Sequence, residues 1–305
     1  MIPIFPNFKK IGLEDKKSIE SFTHRYLPYS DFNFTSLWAW DTKDKRMISK
    51  LNDNLIVRLT DYETNEPSFS FLGTNEPERT ARELINFAEK FGISPILRFI
   101  PEESVAGLKN SNLLVEEDKD NFDYIFSVPK LAELQGIKFK EKRNSVNKFL
   151  REHPNATFEL KELSSLAVRE QILSVLRRWK NKKSLDNKPF DFKNEELAID
   201  RLLHTAKDHK LITSCVFLGD TMIGFSIDEI LPFQYATSHF FKADNSFNGV
   251  YDFLNNKVAQ YLATQNVTLW NWEQDLGLEN LRKSKMSYNP VNFLLKYKVS
   301  LTYNK

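Results

Sequence analysis

The stretch Leu211-Ile212-Thr213-Ser214-Cys215-Val216-Phe217-Leu218-Gly219-Asp220-Thr221-Met222-Ile223-Gly224-Phe225-Ser226-Ile227-Asp228-Glu229-Ile230-Leu231 decides the fold. Two β-rich, mostly apolar runs, Leu211–Leu218 and Thr221–Leu231, flank Gly219-Asp220, a two-residue loop of hairpin type. A third run, Tyr235–Lys242, follows within a few residues, so three successive antiparallel strands are predicted. Downstream, Val250–Gln265 reads as a helix, Val267–Trp272 as a strand, then a short basic helix and a closing strand, Asn292–Leu301. Upstream, Phe122–Val128 alternates like a strand and Leu131–Leu150 reads as mostly helical and basic. Leu166, Ile172, Leu173, Leu176 and Trp179 line one face of a second helix. Ala198, Leu202 and Ala206, at steps of four, mark a third over Glu195–His209.

Helix pair, antiparallel strands, loop, helix, strand, short helix, strand is the plan of a GNAT acyltransferase core. In that plan donor and acceptor meet where neighbouring strands splay, beside a helix N-terminus that faces phosphates. The expected class is therefore α/β (α+β), with mixed, mainly antiparallel sheets.

The first half reads as its own α/β unit. A helix is expected around Glu14–Tyr26, and strands near Met47–Leu51 and Leu55–Thr60, joined by Asn52-Asp53-Asn54. Ala81, Leu84, Ile85 and Ala88 give a helix near Arg79–Phe91, with Pro77 suited to its first turn. A strand at Ile96–Ile100 follows. The acidic loop Glu116–Asp120 sets the expected boundary, giving domains 1–118 and 119–305 that meet near residues 115–125.

At 305 residues with 41% hydrophobic content the chain is long enough for two cores, and 25 phenylalanines predict ring-rich ones. Its apolar runs fall short of the ~20 residues that cross a bilayer. The start, Met1-Ile2-Pro3-Ile4-Phe5-Pro6, lacks the pattern of a signal peptide, so a cytoplasmic location is expected. The single cysteine, Cys215, sits in an apolar strand and reads as a buried structural thiol. The net charge of +2 hides a segregation: segments 138–151, 177–188 and 282–298 each carry +5, leaving −13 for the rest. Converging in space, they would form a cationic surface for phosphate-bearing partners; as separate solvated faces they would not.

Three stretches carry candidate chemistry. In Gly136–Phe149, Lys140, Asn144, Asn147 and Lys148 share one helical face beside Lys142 and Arg143, and two asparagines in a basic turn suit ligand contact or a structural hydrogen bond. In His239–Tyr251, Lys242, Asn248, Gly249 and Tyr251 stand where a phosphate-binding loop is expected, but Gly249 is its only glycine, which argues against coenzyme A. His239, inside a strand, reads as a core or hydrogen-bonded histidine. In Trp270–Pro290, Glu273 and Asp275 suit an amine, and Lys283 and Lys285 suit a phosphate or an oxyanion. The five scattered histidines give no metal-ligand spacing, and no serine nucleophile elbow is present.

Tyr29-Ser30-Asp31-Phe32-Asn33-Phe34 with Trp38, Leu131-Ala132-Glu133-Leu134-Gln135-Gly136 with Lys142-Arg143-Asn144, Lys242-Ala243-Asp244, Glu273-Gln274-Asp275-Leu276-Gly277, Leu281-Arg282-Lys283-Ser284-Lys285 and Ser287-Tyr288-Asn289-Pro290 occur in this order. Together, from about Tyr29 to Tyr297, they resemble the phosphatidylglycerol lysyltransferase C-terminal domain family, relatives of the Fem-type peptidoglycan aminoacyltransferases. The resemblance implies two tandem GNAT-like folds and transfer of an aminoacyl group from charged tRNA to a lipid or another hydroxyl or amine acceptor, without a cofactor. It implies an oxyanion role for Arg143, Arg282, Lys283 and Lys285, and amine recognition by Asp275. Lys142, Asn144, Asn147, Lys242, Asn248, Gly249, Tyr251, Glu273 and Tyr288 are the substrate-binding candidates. The partners it implies are charged tRNA and an anionic lipid surface at the inner face of a membrane. The flippase half of full lysyltransferases is absent from this sequence.

Arg282, Lys283 and Lys285 are expected to line the cleft with Asp275 across from them, and Lys285 is expected to be a cleft-surface lysine dispensable for folding. Two alternatives stand beside this reading: a coenzyme A-dependent N-acyltransferase and a non-catalytic nucleic-acid-binding module.

Overall fold

The computed structural model describes residues 1–60, 66–108, 111–184 and 193–302. The chain forms two compact units. The first comprises Met1–Asp123, Gln274–Glu279 and Phe293 onward; the second comprises Tyr124–Glu273 and Asn280–Asn292. The division expected as one cut at residue 118 thus takes a different form, with the chain returning twice to the first unit.

In the first unit an antiparallel sheet runs in the order Lys9–Lys10, Met47–Leu51, Asn54–Thr60, Pro67–Leu72. Asn52 and Asp53 turn its central hairpin at φ 49° and 58°, left-handed values that asparagine and aspartate tolerate. A second sheet places Lys296–Leu301 between Leu97–Pro101 and Leu113–Glu117, antiparallel to both. The helix Pro77–Lys90 links the two sheets in sequence and buries Ala81, Leu84, Ile85 and Ala88 against Phe69, Phe71, Ile100 and Val299. The C-terminal strand belongs here because its apolar face, Tyr297, Val299 and Leu301, packs into that core.

The motif around Tyr29 is explained inside this unit. Lys296, fully buried, pairs with Asp123 at 2.7 Å and with Asp31, and donates to Ser30 Oγ at 3.0 Å. Gln274 Nε2 donates to Ser30 Oγ at 3.2 Å and Asp31 Oδ1 at 2.8 Å. Residues separated by more than 240 positions therefore close one buried polar network, which satisfies charges that burial would otherwise expel.

Apart from the first residues of β1 and α6, which belong to the first unit, the second unit holds β1 (Asp123–Ser127), α1 (Val128–Glu133), α2 (Lys140–Glu152), β2 (Ala156–Lys161), α3 (Leu166–Ser184), α4 (Lys193–His204), β3 (Leu211–Leu218), β4 (Thr221–Leu231), β5 (Tyr235–Ala243), α5 (Val250–Thr264), β6 (Leu269–Asn271) and α6 (Glu279–Met286). The strands lie in the order β1-β6-β5-β4-β3-β2, antiparallel except for the parallel pair β5–β6. The sheet is thus mixed and mainly antiparallel, with Gly219 at φ 56° turning the expected β3–β4 hairpin.

The helix expected over Leu131–Leu150 is two helices. Leu134 and Gly136 adopt left-handed backbone, φ 51° and 80°, and end α1. Arg143 Nη1 donates to the carbonyls of both Leu134 and Gly136, which fixes the break. Arg143 is therefore a brace for the α1–α2 turn.

Candidate functional site

The hairpin β4–β5 carries one irregularity. Ile227 pairs with Phe240, but the next residue, Asp228, pairs with Ser238, so His239 is an extra residue on β5. This is a β-bulge, a device that re-aims a side chain out of the regular pleat. The neighbouring parallel pair β5–β6 stops at Thr237–Asn271, although β5 continues to Ala243. Beyond β6 the chain turns at Glu273, φ 57°, held by Asn271 Oδ1, which accepts from the Glu273 N–H at 2.7 Å.

The bulge and the turn bring three charged side chains together. His239 Nε2 lies 3.2 Å from Glu229 Oε2, and its Nδ1 lies 3.5 Å from Glu273 Oε1. Burial opposes a charge on His239, yet the two carboxylates outweigh it and push the imidazole up to about 9. The histidine expected to be a core or hydrogen-bonded residue is so, and it is held as a cation. One position from Glu229, Asp228 is fully buried; its Oδ1 accepts from Trp270 Nε1 at 3.0 Å and its other oxygen from the Ser226 hydroxyl. Burial raises this carboxyl to about 7 despite those bonds. Glu229 and Asp228 are the functional candidates sequence reasoning passed over. Their signal was two adjacent acids inside an otherwise apolar strand.

The turn at Trp272-Glu273 also organises cations and rings. Lys285 Nζ donates to the carbonyls of Trp272 at 2.6 Å and Glu273 at 3.1 Å, and stands 5.4 Å from the Tyr124 ring centroid. Lys285 is 8% exposed. It caps the end of a strand from inside the protein, which corrects the expectation of a dispensable surface lysine. The Trp272 ring packs edge-on at 5.0 Å against Tyr288. Tyr288 is buried and its hydroxyl donates to Asp252 Oδ1, which also pairs with Lys142 at 3.3 Å; the Lys142 ammonium sits 3.6 Å from the Tyr288 ring centroid. Burial, then the Asp252 charge, pushes the Tyr288 hydroxyl well above its ordinary range.

Asp252 lies in the first turn of α5, where a carboxylate is favoured by the helix dipole. Gly249 precedes that turn at φ 85°, and a Cβ there would stand 2.7 Å from the Ser145 carbonyl of α2. Only glycine meets both demands. Lys285 and Tyr288 thus contact Trp272, Lys142 and Asp252 join through Tyr288, and Glu273, next in the chain, carries His239 and Glu229 as partners.

The remaining candidates are placed differently. Lys242 pairs with Glu195 at 2.8 Å and lies 4.0 Å over the Trp179 ring. Tyr251 stacks on Phe241 at 5.8 Å, and burial pushes its hydroxyl up to about 12. Asn144, Asn147 and Asn248 are exposed in the second unit, as are Lys140 and Lys148 on the face of α2 shared with Asn144 and Asn147. Arg282 is half-buried and Lys283 exposed, both on α6. Asp275 belongs to the first unit, fully buried, its Oδ1 accepting from the Gly277 N–H at 2.8 Å.

Some cations of the basic segments are held in internal pairs. Arg178 bonds Asp244, Lys180 bonds Glu196, and Lys298 bonds Asp118. Segment 177–188 lies partly outside the described residues. Cys215 is buried, and burial raises its thiol to about 12, as a structural thiol requires. Among the described residues no helix is long and apolar enough to cross a membrane.

Residues 24–300 match the family model described as phosphatidylglycerol lysyltransferase, C-terminal. Among solved structures, a conserved protein of unknown function from Bacteroides thetaiotaomicron is similar over 99% of this chain and 100% of its own, at 26% identity and a TM-score of 0.84. The C-terminal domain of a putative lysylphosphatidylglycerol synthetase from Agrobacterium fabrum is similar over 95% of this chain and 92% of its own, at 14% identity and TM-score 0.67. L-PGS from Bacillus licheniformis is similar over 100% and 95%, at 16% identity and TM-score 0.64. No curated protein matches the chain.

Proposed function

The chain belongs to the phosphatidylglycerol lysyltransferase C-terminal family, and from that premise we propose that it moves an aminoacyl group from charged tRNA to a hydroxyl of an anionic, phosphatidylglycerol-like lipid. Membership makes it a protein of acyltransferase kind. Donor and acceptor are the further step.

The observation that carries the reading is the Glu229–His239–Glu273 cluster at the bulge of β5. Two carboxylates around one imidazolium leave one net negative charge, which suits the α-ammonium of an aminoacyl ester. Glu273, 21% exposed at its side chain against 6% for Glu229, is the member open to a ligand. In the reaction the lipid hydroxyl oxygen attacks the ester carbonyl carbon and a new C–O bond forms. The bond to the tRNA ribose oxygen then breaks, and the proton lost by the acceptor ends on that ribose oxygen. We assign Glu273 to carry this proton, and Arg282 and Lys283 to donor phosphates. No cofactor enters this scheme.

A tRNA donor is favoured over coenzyme A by the first turn of α5. Asp252, tied to Tyr288 and Lys142, fills the turn with a carboxylate, and Gly249 packs on Ser145. A pyrophosphate at this helix N-terminus would meet that carboxylate rather than open N–H groups.

Incubation with labelled aminoacyl-tRNA and phosphatidylglycerol vesicles tests the proposal. Label should appear in the lipid and vanish when ribonuclease is added first. Turnover of an acyl-coenzyme A without tRNA would replace this reading with the runner-up. Binding of tRNA without transfer would leave a nucleic-acid-binding module.

A further inference from the structure

One surface of the second unit holds apolar side chains outward by design of its backbone. Ile137 is 91% exposed. It follows Gly136, whose left-handed φ of 80° and bond to Arg143 fix the turn that points it away from the core. Phe139, two residues on, is buried, so the same turn separates one apolar residue to the inside and one to the outside. Asn289 Nδ2 donates to the Lys138 carbonyl at 3.3 Å, which brings the segment after α6 alongside. That segment and the last turn of α6 present Met286, 49% exposed, and Val291, 41% exposed. Lys138 and Lys140, in the same segment as Ile137, are exposed, and Glu141 is the acid in that stretch.

A single exposed apolar residue is ordinary, but exposed apolar side chains on two segments that a hydrogen bond joins, with exposed lysines in the same sequence stretch, are not. Nucleic acid offers phosphates to the lysines and nothing to the three exposed apolar side chains. A bilayer containing anionic lipid offers both: headgroup charge for the lysines, and acyl boundary for the aliphatic groups. We infer that Ile137, Met286 and Val291, together with the exposed Lys138 and Lys140, form the surface by which this protein docks on an anionic lipid bilayer. The inference rests on the lipid-acceptor reading above and gives it an address on the molecule.

The test is co-sedimentation of the full chain with vesicles of phosphatidylglycerol and phosphatidylcholine, without any aminoacyl donor. The wild-type protein should bind these vesicles, bind pure phosphatidylcholine far less, and release as salt rises. Ile137→Ser with Met286→Ser should weaken binding about tenfold or more, with circular dichroism and tRNA binding unchanged. Should the double variant misfold, Ile137→Ser alone, at so exposed a position, serves in its place. Lys138→Gln with Lys140→Gln should weaken binding and flatten its salt dependence.

Absence of wild-type binding, or equal binding by the serine variants, would overturn the surface. Equal loss of vesicle and tRNA binding would assign it to nucleic acid instead. Transfer to lipid dispersed in detergent is followed in parallel. Transfer without vesicle binding removes the docking surface alone, and vesicle binding without transfer removes the lipid-acceptor reading alone.

Discussion

His239 Nδ1 lies 3.5 Å from Glu273 Oε1, joining the bulge of one strand to the turn that ends the next. Neither residue holds its place by regular pairing. His239 is the unpaired residue of the bulge, and Glu273 sits at left-handed φ after β6. Their contact, with Glu229 on the far side of the ring, sets the charge of the site.

That charge predicts a pH dependence. His239 is raised in the folded protein from 6.5 to about 9. Its contribution to stability is therefore fully present below about pH 6.5 and is lost as pH rises through about 9. It amounts to something on the order of 3 kcal/mol. His239→Gln should flatten the fall in melting temperature between pH 6.5 and 9. An unchanged fall in that variant would mean that another group titrates there.

Asp228 works in the opposite sense to a paired surface acid. Burial raises it from 3.8 to about 7, so its ionisation costs stability as pH rises through that range. Asp228→Asn keeps an acceptor for Trp270 and should match or exceed the wild-type melting temperature at pH 8. Asp228→Leu should lower unfolding free energy by roughly 1–3 kcal/mol, because the Trp270 N–H and Ser226 hydroxyl lose their partner. Equal stability of the two variants would show that these bonds contribute nothing.

Lys285→Ala removes the cation that caps the Trp272 and Glu273 carbonyls. The expected loss is about 2–4 kcal/mol, seen as a lower urea midpoint, because the carbonyls stay behind without this donor. Lys283→Ala, at an exposed position, should change stability by less than about 0.5 kcal/mol. A Lys285→Ala midpoint equal to wild type would return Lys285 to the role of a cleft-surface lysine dispensable for folding.

Lys296→Met leaves Asp31 and Asp123 buried without the cation between them. Breaking such a set by removing one partner costs about 3–5 kcal/mol. Replacing all three by apolar residues should cost much less. Thermal unfolding of both variants separates an uncompensated charge from a need for the network itself.

Glu273→Gln keeps the shape of the side chain and removes its charge. Under the proposed chemistry, transfer should fall by ~10²–10³ while the wild-type fold is retained. Wild-type transfer rates in Glu273→Gln would end the role assigned to this carboxylate.

Much of the secondary structure was legible because its signals are local. Ala81, Leu84, Ile85 and Ala88 repeat at helical spacing and are all buried. Gly219-Asp220 between two apolar runs is a local hairpin signal, and the two strands do pair there. The break between α1 and α2 was not legible, because Leu134 takes left-handed backbone only with the Arg143 brace in place. Of the site, Glu273 was picked out for its charge and Tyr288 and Lys142 through the family resemblance, but their partners were not. Asp252 reads as an ordinary first-turn acid until the fold brings Lys142 and Tyr288 to it.

By itself the sequence determined the element types, the family likeness and the buried state of Cys215, all properties of short windows or ordered motifs. Tertiary structure alone decided which strand completes which sheet, that His239 is a bulge flanked by two acids, and that Lys285 is a buried cap. The physical reason is range. Periodicity and turn chemistry act over a few residues, whereas the charge on an imidazole or an ammonium depends on groups brought within about 4 Å by the chain's return from tens to hundreds of positions away.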